Sequence, residues 1–192
     1  NVAGAGYANY LLVNSPNIGG DNLPTISLLF GFPLDPYPDR FDPFVSFAQT
    51  LLEAGDPASY ASHLVNDPLA IPGLGRNPPR DILQIEVMGD EVVPNPANEH
   101  LAVAAGLDLL EPFSATVPGL ATVRGPVAGN RVVDGIAVTA ALVQQNPAAH
   151  GSNLVNGTGR LYYEPGFPAP GPDPFPRRAA TVRVDHPLAE LQ

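Results

Sequence analysis

Two apolar runs, Ile82 to Met88 and Ile136 to Val143, most constrain the fold of this chain. In the first, Ile82, Leu83, Ile85 and Val87 leave little alternation of apolar with polar. A strand covered on one face alternates, whereas a near-continuous apolar run belongs to a strand buried on both faces, as in parallel sheets flanked by helices. The sequence predicts a helix between the two runs. Asn95-Pro96 opens it, Leu101, Ala104 and Ala105 give it an apolar side, and Gly106 lies beyond its end. Strand, turn, helix, strand is an α/β layout. Two strands make too small a sheet to stand alone, because bare edges and an uncovered face remain. The missing strands are therefore expected from another segment or chain.

Upstream, the pattern is helical and loop-rich. Asn1 to Gly6 reads as a strand end and turn, followed by a short apolar helix from Tyr7 to Val13 that Ser15-Pro16 stops. Residues 14–42 are rich in Pro, Gly, Asn and Asp around the apolar stretch Ile26 to Phe32, and read as loop or cap material. Asp42-Pro43 opens a helix whose Phe44, Phe47, Ala48, Leu51 and Leu52 recur at helical spacing, with Gly55 at its end. Asp56-Pro57 repeats the start signal for a shorter helix with Tyr60 and Leu64, and residues 66–80 are a proline-rich connection. Residues 107–133 read as irregular, with a short strand near Ala121 to Val123. The expected parts are thus core at 1–13, a cap insertion at 14–80, core again at 81–155 and a proline-rich tail at 156–192, with a candidate edge strand at Ala180 to Val184.

Composition excludes several function classes. The net charge is −10 and all nine basic residues are arginines. Nucleic-acid binding needs a basic footprint, and attraction to anionic membranes needs the same sign, so neither is expected. The absence of cysteine excludes disulfides, thiolate catalysis and thiolate metal sites and leaves the redox compartment open. No apolar run approaches the roughly 20 residues a membrane span requires. The chain begins at Asn1 without a signal-peptide pattern, which reads as the start of a cleaved or partial chain.

Two residues stand where hydrolytic chemistry needs them. Asp90 follows the first run in Met88-Gly89-Asp90-Glu91-Val92-Val93-Pro94, and His150 follows the second in Ala148-Ala149-His150-Gly151-Ser152. An imidazole titrates near neutrality and can take and return a hydroxyl proton. A carboxylate on its other nitrogen fixes the tautomer and stabilises the imidazolium. In open α/β sheets such groups sit on loops at the carboxyl ends of strands. The bland alternatives are a Gly-Asp turn whose carboxylate bonds nearby backbone, and a surface histidine. Glu91 is the rival acid and His186, in the tail, the backup base. The sequence contains no Gly-x-Ser-x-Gly.

The segment Ile85 to Asn95, with its strand, Gly89-Asp90 and Val93-Pro94 before a helix, resembles the acid turn of bacterial α/β-hydrolases of the lipase/esterase type. Ala149-His150-Gly151, with Leu154 nearby, resembles that family's histidine loop, and Asn1 to Gly6 resembles the strand and turn after its nucleophile helix. The resemblance covers roughly residues 1–155. It implies the C-terminal portion of an α/β-hydrolase sheet with a cap insertion, in which acid and then His follow the serine in chain order. It makes Asp90 and His150 the acid and base of a Ser-His-Asp triad. The serine and oxyanion loop then lie on an N-terminal segment or second chain. The expected substrate is an apolar ester, no cofactor is implied, and a secreted or cell-envelope location is favoured. The alternative is a non-catalytic binding or structural subunit with a degenerate hydrolase fold.

Other candidates are weaker. Phe30, Phe32, Tyr37, Phe41, Phe44 and Phe47 crowd the cap region, where Phe30, Phe32, Phe41, Phe44 and Phe47 are candidates for an acyl pocket against the simpler reading of cap packing. His63 is expected to pack or cap, and His100 to face solvent. No His pair has zinc spacing. Asp35, Asp39 and Asp42 have calcium-type oxygens but read first as loop and cap residues. Asn156-Gly157-Thr158 is a glycosylation sequon of low specificity.

Overall fold

A computed structural model describes residues 6–15, 19–31, 38–90, 92–146, 148 and 150. The first described element is a π-helical stretch, Tyr7–Leu12. Helices α1 (Gly19–Phe30), α2 (Pro43–Leu52) and α3 (Ala58–Ala61) follow. Strands β1 (Ala70–Ile71) and β2 (Gly75–Arg76) make a small antiparallel ladder. Strand β3 (Ile82–Val87), helix α4 (Asn95–Ala105) and strands β4 (Asp108–Glu111) and β5 (Thr122–Arg124) lead to the hairpin β6 (Arg131–Val133) and β7 (Ile136–Val138), then β8 (Ala140–Gln145).

The main sheet has four strands in the order β3-β8-β4-β5, and every pairing in it is parallel. With its helices it is an α/β structure. Strand β8 is central and all six of its residues are buried, as expected for a strand covered on both faces. Helices α3 and α4 cover it through Ala61, Leu101, Ala102 and Ala105, which join Leu107, Leu109, Ala140 and Leu142 in the principal core. Strand β3 ends the strand order, so its outer edge carries no strand among the described residues.

The structure corrects several expectations. The run Ile136 to Val143 is two strands, broken at Thr139. Asp134 and Gly135 both have positive φ, the geometry of a tight hairpin turn, and pair β7 with β6. At Thr139 the chain then changes partners. Its N–H donates to Asp81 Oδ1 at 2.6 Å and its carbonyl accepts from Ile82 N at 2.7 Å, which delivers Ala140 into the main sheet.

The region 107–133 holds the expected short strand as β5, and beyond that expectation also β4 and a hairpin arm, so two of the strands expected from another segment or chain lie in this one. Buried Leu107 and Leu109 decide this, since tertiary pairing with β8 outweighs the short apolar pattern. The expected loop at 19–30 is a helix despite Pro24, anchored by fully buried Leu23 and by Gly19 N–H donating to the Ser15 carbonyl at 2.8 Å.

Helix α2 begins as its sequence predicts, with Asp42 Oδ1 accepting from Phe44 N at 2.8 Å ahead of Pro43. Its buried side is not the predicted one. Val45 is fully buried, while Phe47, Leu51 and Leu52 are exposed. Gln49 faces inward because its Oε1 accepts from Ala8 N at 2.9 Å, satisfying a donor at the start of the π-helical stretch.

Candidate active site: an aspartate–histidine pair at the sheet's carboxyl edge

Strands β3 and β8 are neighbours, in register from Ile82↔Ala140 to Val87↔Gln145. The loops that leave their carboxyl ends therefore start side by side. Asp90 lies on one and His150 on the other, sixty residues apart in sequence. The structure brings them together. His150 Nδ1 is 2.8 Å from Asp90 Oδ2 and 3.1 Å from Oδ1. A carboxylate only accepts, so Nδ1 carries the proton and Nε2 is the nitrogen left to act as base in the neutral ring.

The two side chains are unequally exposed, 6 % for Asp90 and 42 % for His150. The carboxylate sits behind and the imidazole is presented outward. Asp90 is held from its own turn as well. Its Oδ1 accepts from Val92 N at 2.8 Å and Val93 N at 2.9 Å. One carboxylate thus meets both its own turn and the His150 ring, and its oxygens have lone pairs enough for each.

The turn is closed from behind. Gly89 has φ +75°, a conformation that an L side chain resists. Its N–H donates to Asn95 Oδ1 at 2.8 Å, and Asn95 Nδ2 donates to the Val87 carbonyl at 2.7 Å and to Glu86 Oε1 at 2.9 Å. Glu86 is fully buried, and its Oε2 accepts from Gln144 Nε2 at 3.0 Å. Burial pushes the Glu86 carboxyl above its ordinary range, against the pull of the Asn95 and Gln144 hydrogen bonds. Beside the turn, Val92 and Val93 pack with Tyr7, Tyr10, Leu11 and Ala97, so the π-helical stretch supports the acid turn.

Sequence reasoning singled out Asp90 and His150 but passed over Glu86, Asn95 and Gln144. The signal was present: Glu86 puts a charge inside the first apolar run, and Gln144 follows directly on the second.

The remaining candidates are placed as follows. Phe41 is 75 % and Phe47 61 % exposed, and Phe44 is half-buried. The Arg40 guanidinium lies over the Phe41 ring, 4.8 Å from its centroid. The Phe30 side chain, Phe32, Asp35, Tyr37, Glu91, the sequon, Ala180 to Val184 and His186 lie outside the described residues. His63 Nδ1 lies 2.7 Å from the Asp67 carbonyl, a turn contact. His100 is exposed and packs a tilted ring on Tyr10. Asp39 accepts from Phe41 N, so it and Asp42 both serve local backbone. No helix among the described residues is long and apolar enough to cross a membrane.

The chain matches no protein-family model, no curated protein and no solved structure.

Proposed function

We propose that this chain supplies the acid and the base of a serine ester hydrolase of the α/β-hydrolase type. The observation that carries the reading is the bond from His150 Nδ1 to a buried, doubly anchored Asp90, with the imidazole turned outward. The nucleophilic serine lies on a segment or partner chain outside this sequence. Its hydroxyl attacks the ester carbonyl while His150 Nε2 takes the proton. The proton then passes to the departing alcohol as the tetrahedral centre collapses to an acyl-serine. Water repeats the cycle and releases the acid. Asp90 keeps the ring in the Nδ1–H tautomer and offsets the imidazolium charge. Backbone amides on the other segment hold the oxyanion.

Two features support a completing partner. The outer edge of β3, the strand that carries Asp90, is without a strand among the described residues. Phe41, Phe47, Leu51 and Leu52 also leave apolar side chains on the surface of the helical region.

A tagged fluorophosphonate tests this in the native material, with the labelled peptide sequenced. A label on a serine outside this chain is expected. Asp90→Asn should then slow turnover by about 10⁴-fold, and His150→Ala by a further one to two orders, as roughly found for such triads. Absence of any label would overturn the reading in favour of a binding subunit.

A further inference from the structure

We infer that Glu86, Gln144 and Asn95 form a buried positioning clamp that sets the Asp90 turn against the His150 loop. The inference deepens the proposed site and rests on that pairing of Asp90 with His150. Glu86 and Gln144 are direct register partners on β3 and β8, one residue before each strand ends. Their side-chain bond therefore ties the two strands together where they release the acid turn and the histidine loop.

The polarity of the clamp is fixed by backbone groups. Gln144 Oε1 accepts from Ser114 N and Ala115 N, both at 2.9 Å, so its amide must turn Nε2 toward Glu86. Asn95 Oδ1 accepts from Gly89 N, and its Nδ2 faces the Val87 carbonyl, so it too presents N–H to Glu86. Backbone N–H groups only donate and carbonyls only accept, so neither amide can flip without losing bonds. Glu86 must accept at both oxygens. A carboxylate does this and an amide does not. Asn95 then carries the constraint onward, because the same side chain holds Gly89, the residue before Asp90.

This logic predicts a reciprocal rescue. Glu86→Gln alone sets an NH₂ against an NH₂ donor. Gln144→Glu alone sets two carboxylates face to face. Together they restore every bond. The carboxylate at position 144 accepts from Ser114 N, Ala115 N and the new amide, whose oxygen accepts from Asn95. The charge moves one strand over and the geometry stays. A residue that only fills space shows no such pattern.

The test uses the native material carrying the chain, with two readouts. One is the proton resonance of His150 Nδ1–H, assigned by its loss in His150→Gln. The other is hydrogen exchange at the Val92 and Val93 amides. Either single exchange should shift or broaden the imidazole signal and speed exchange at both amides at least tenfold. The double exchange should return both readouts to within about threefold of wild type. Asn95→Ala, which leaves Glu86 and Gln144 paired but releases Gly89, should move both readouts in the same direction and serves should a single exchange fail to fold. Val65→Ala, a cavity in the fully buried core away from the clamp, should lower the melting temperature and leave the imidazole signal in place. The inference is overturned if the single exchanges behave like Val65→Ala, or if the double exchange is no better than the singles. The proposed function fails separately: a native Nδ1–H signal that answers to the clamp, with no fluorophosphonate label, sinks the hydrolase reading and leaves the clamp standing.

Discussion

Asp56 and Glu86 are both carboxylates buried almost completely, one in the helical region and one at the end of the sheet, yet their environments drive them in opposite directions. Burial pushes Asp56 up, but hydrogen bonds from Ala58, Gln49, Tyr7 and Gly6 more than offset it and leave its carboxyl below the usual range. Three of those donors are backbone N–H groups, at 2.6 Å from Gly6, 3.2 Å from Tyr7 and 3.0 Å from Ala58. Glu86 has two side-chain amides against its desolvation and the Glu99 charge, and desolvation wins. Burial alone therefore does not set a carboxylate's state; the donors aimed at it and the charges near it count as well. Asp56 ties the π-helical stretch to the start of α3 as an ion. Glu86 remains a desolvated acceptor whose bonds join the ends of β3 and β8 and the Asp90 turn.

The largest expected effect is at Asp56. Asp56→Ala strands three backbone donors and the Gln49 amide, and should cost about 3 kcal/mol in urea unfolding. A loss below about 1 kcal/mol would mean that water replaces the carboxylate freely and would dissolve the contrast. Glu86→Gln should cost less, about 1–2 kcal/mol near neutrality, because one bond is broken while an unfavourable buried charge is removed.

The pH dependence sharpens the contrast through its sign. The folded pKa of Asp56 is depressed, so its contribution is present above about 3.8 and is lost as pH falls through the lower folded value. The folded pKa of Glu86 is raised, so its contribution is present below about 4.5 and is lost as pH rises through the higher folded value. Unfolding free energies measured across pH should therefore show Asp56→Asn flattening the acid limb and Glu86→Gln flattening the limb above it. The same limb responding to both variants would contradict the two environments. The smallest effect is expected at the turn between β1 and β2, where Leu74 is exposed and Leu74→Ser should change stability by no more than about 0.5 kcal/mol. A much larger loss by thermal melting would show that this side chain is covered in solution.

The sequence alone determined the α/β class, the strand at Ile82, the helix after Asn95 with its end at Gly106, and the cap at Asp42. Each of these is written in neighbouring residues: a period, a cap or a stop. The same holds for the loop positions of Asp90 and His150, since strand ends are local. The Asp134-Gly135 hairpin was equally legible as a turn dipeptide between valine-rich arms, and was missed because the apolar run beyond it read as one strand. Other features were decided only by tertiary structure. Strand β4 forms because Leu109 pairs with Leu142, and α2 turns Val45 and Gln49 inward, where Gln49 accepts from Ala8 N. Asp90 reaches His150 because β3 and β8, far apart in the chain, lie side by side. Local pattern specifies where a strand stops, but the residue it meets there depends on which strands pair, and pairing is settled by burial and donor–acceptor balance summed over the whole core.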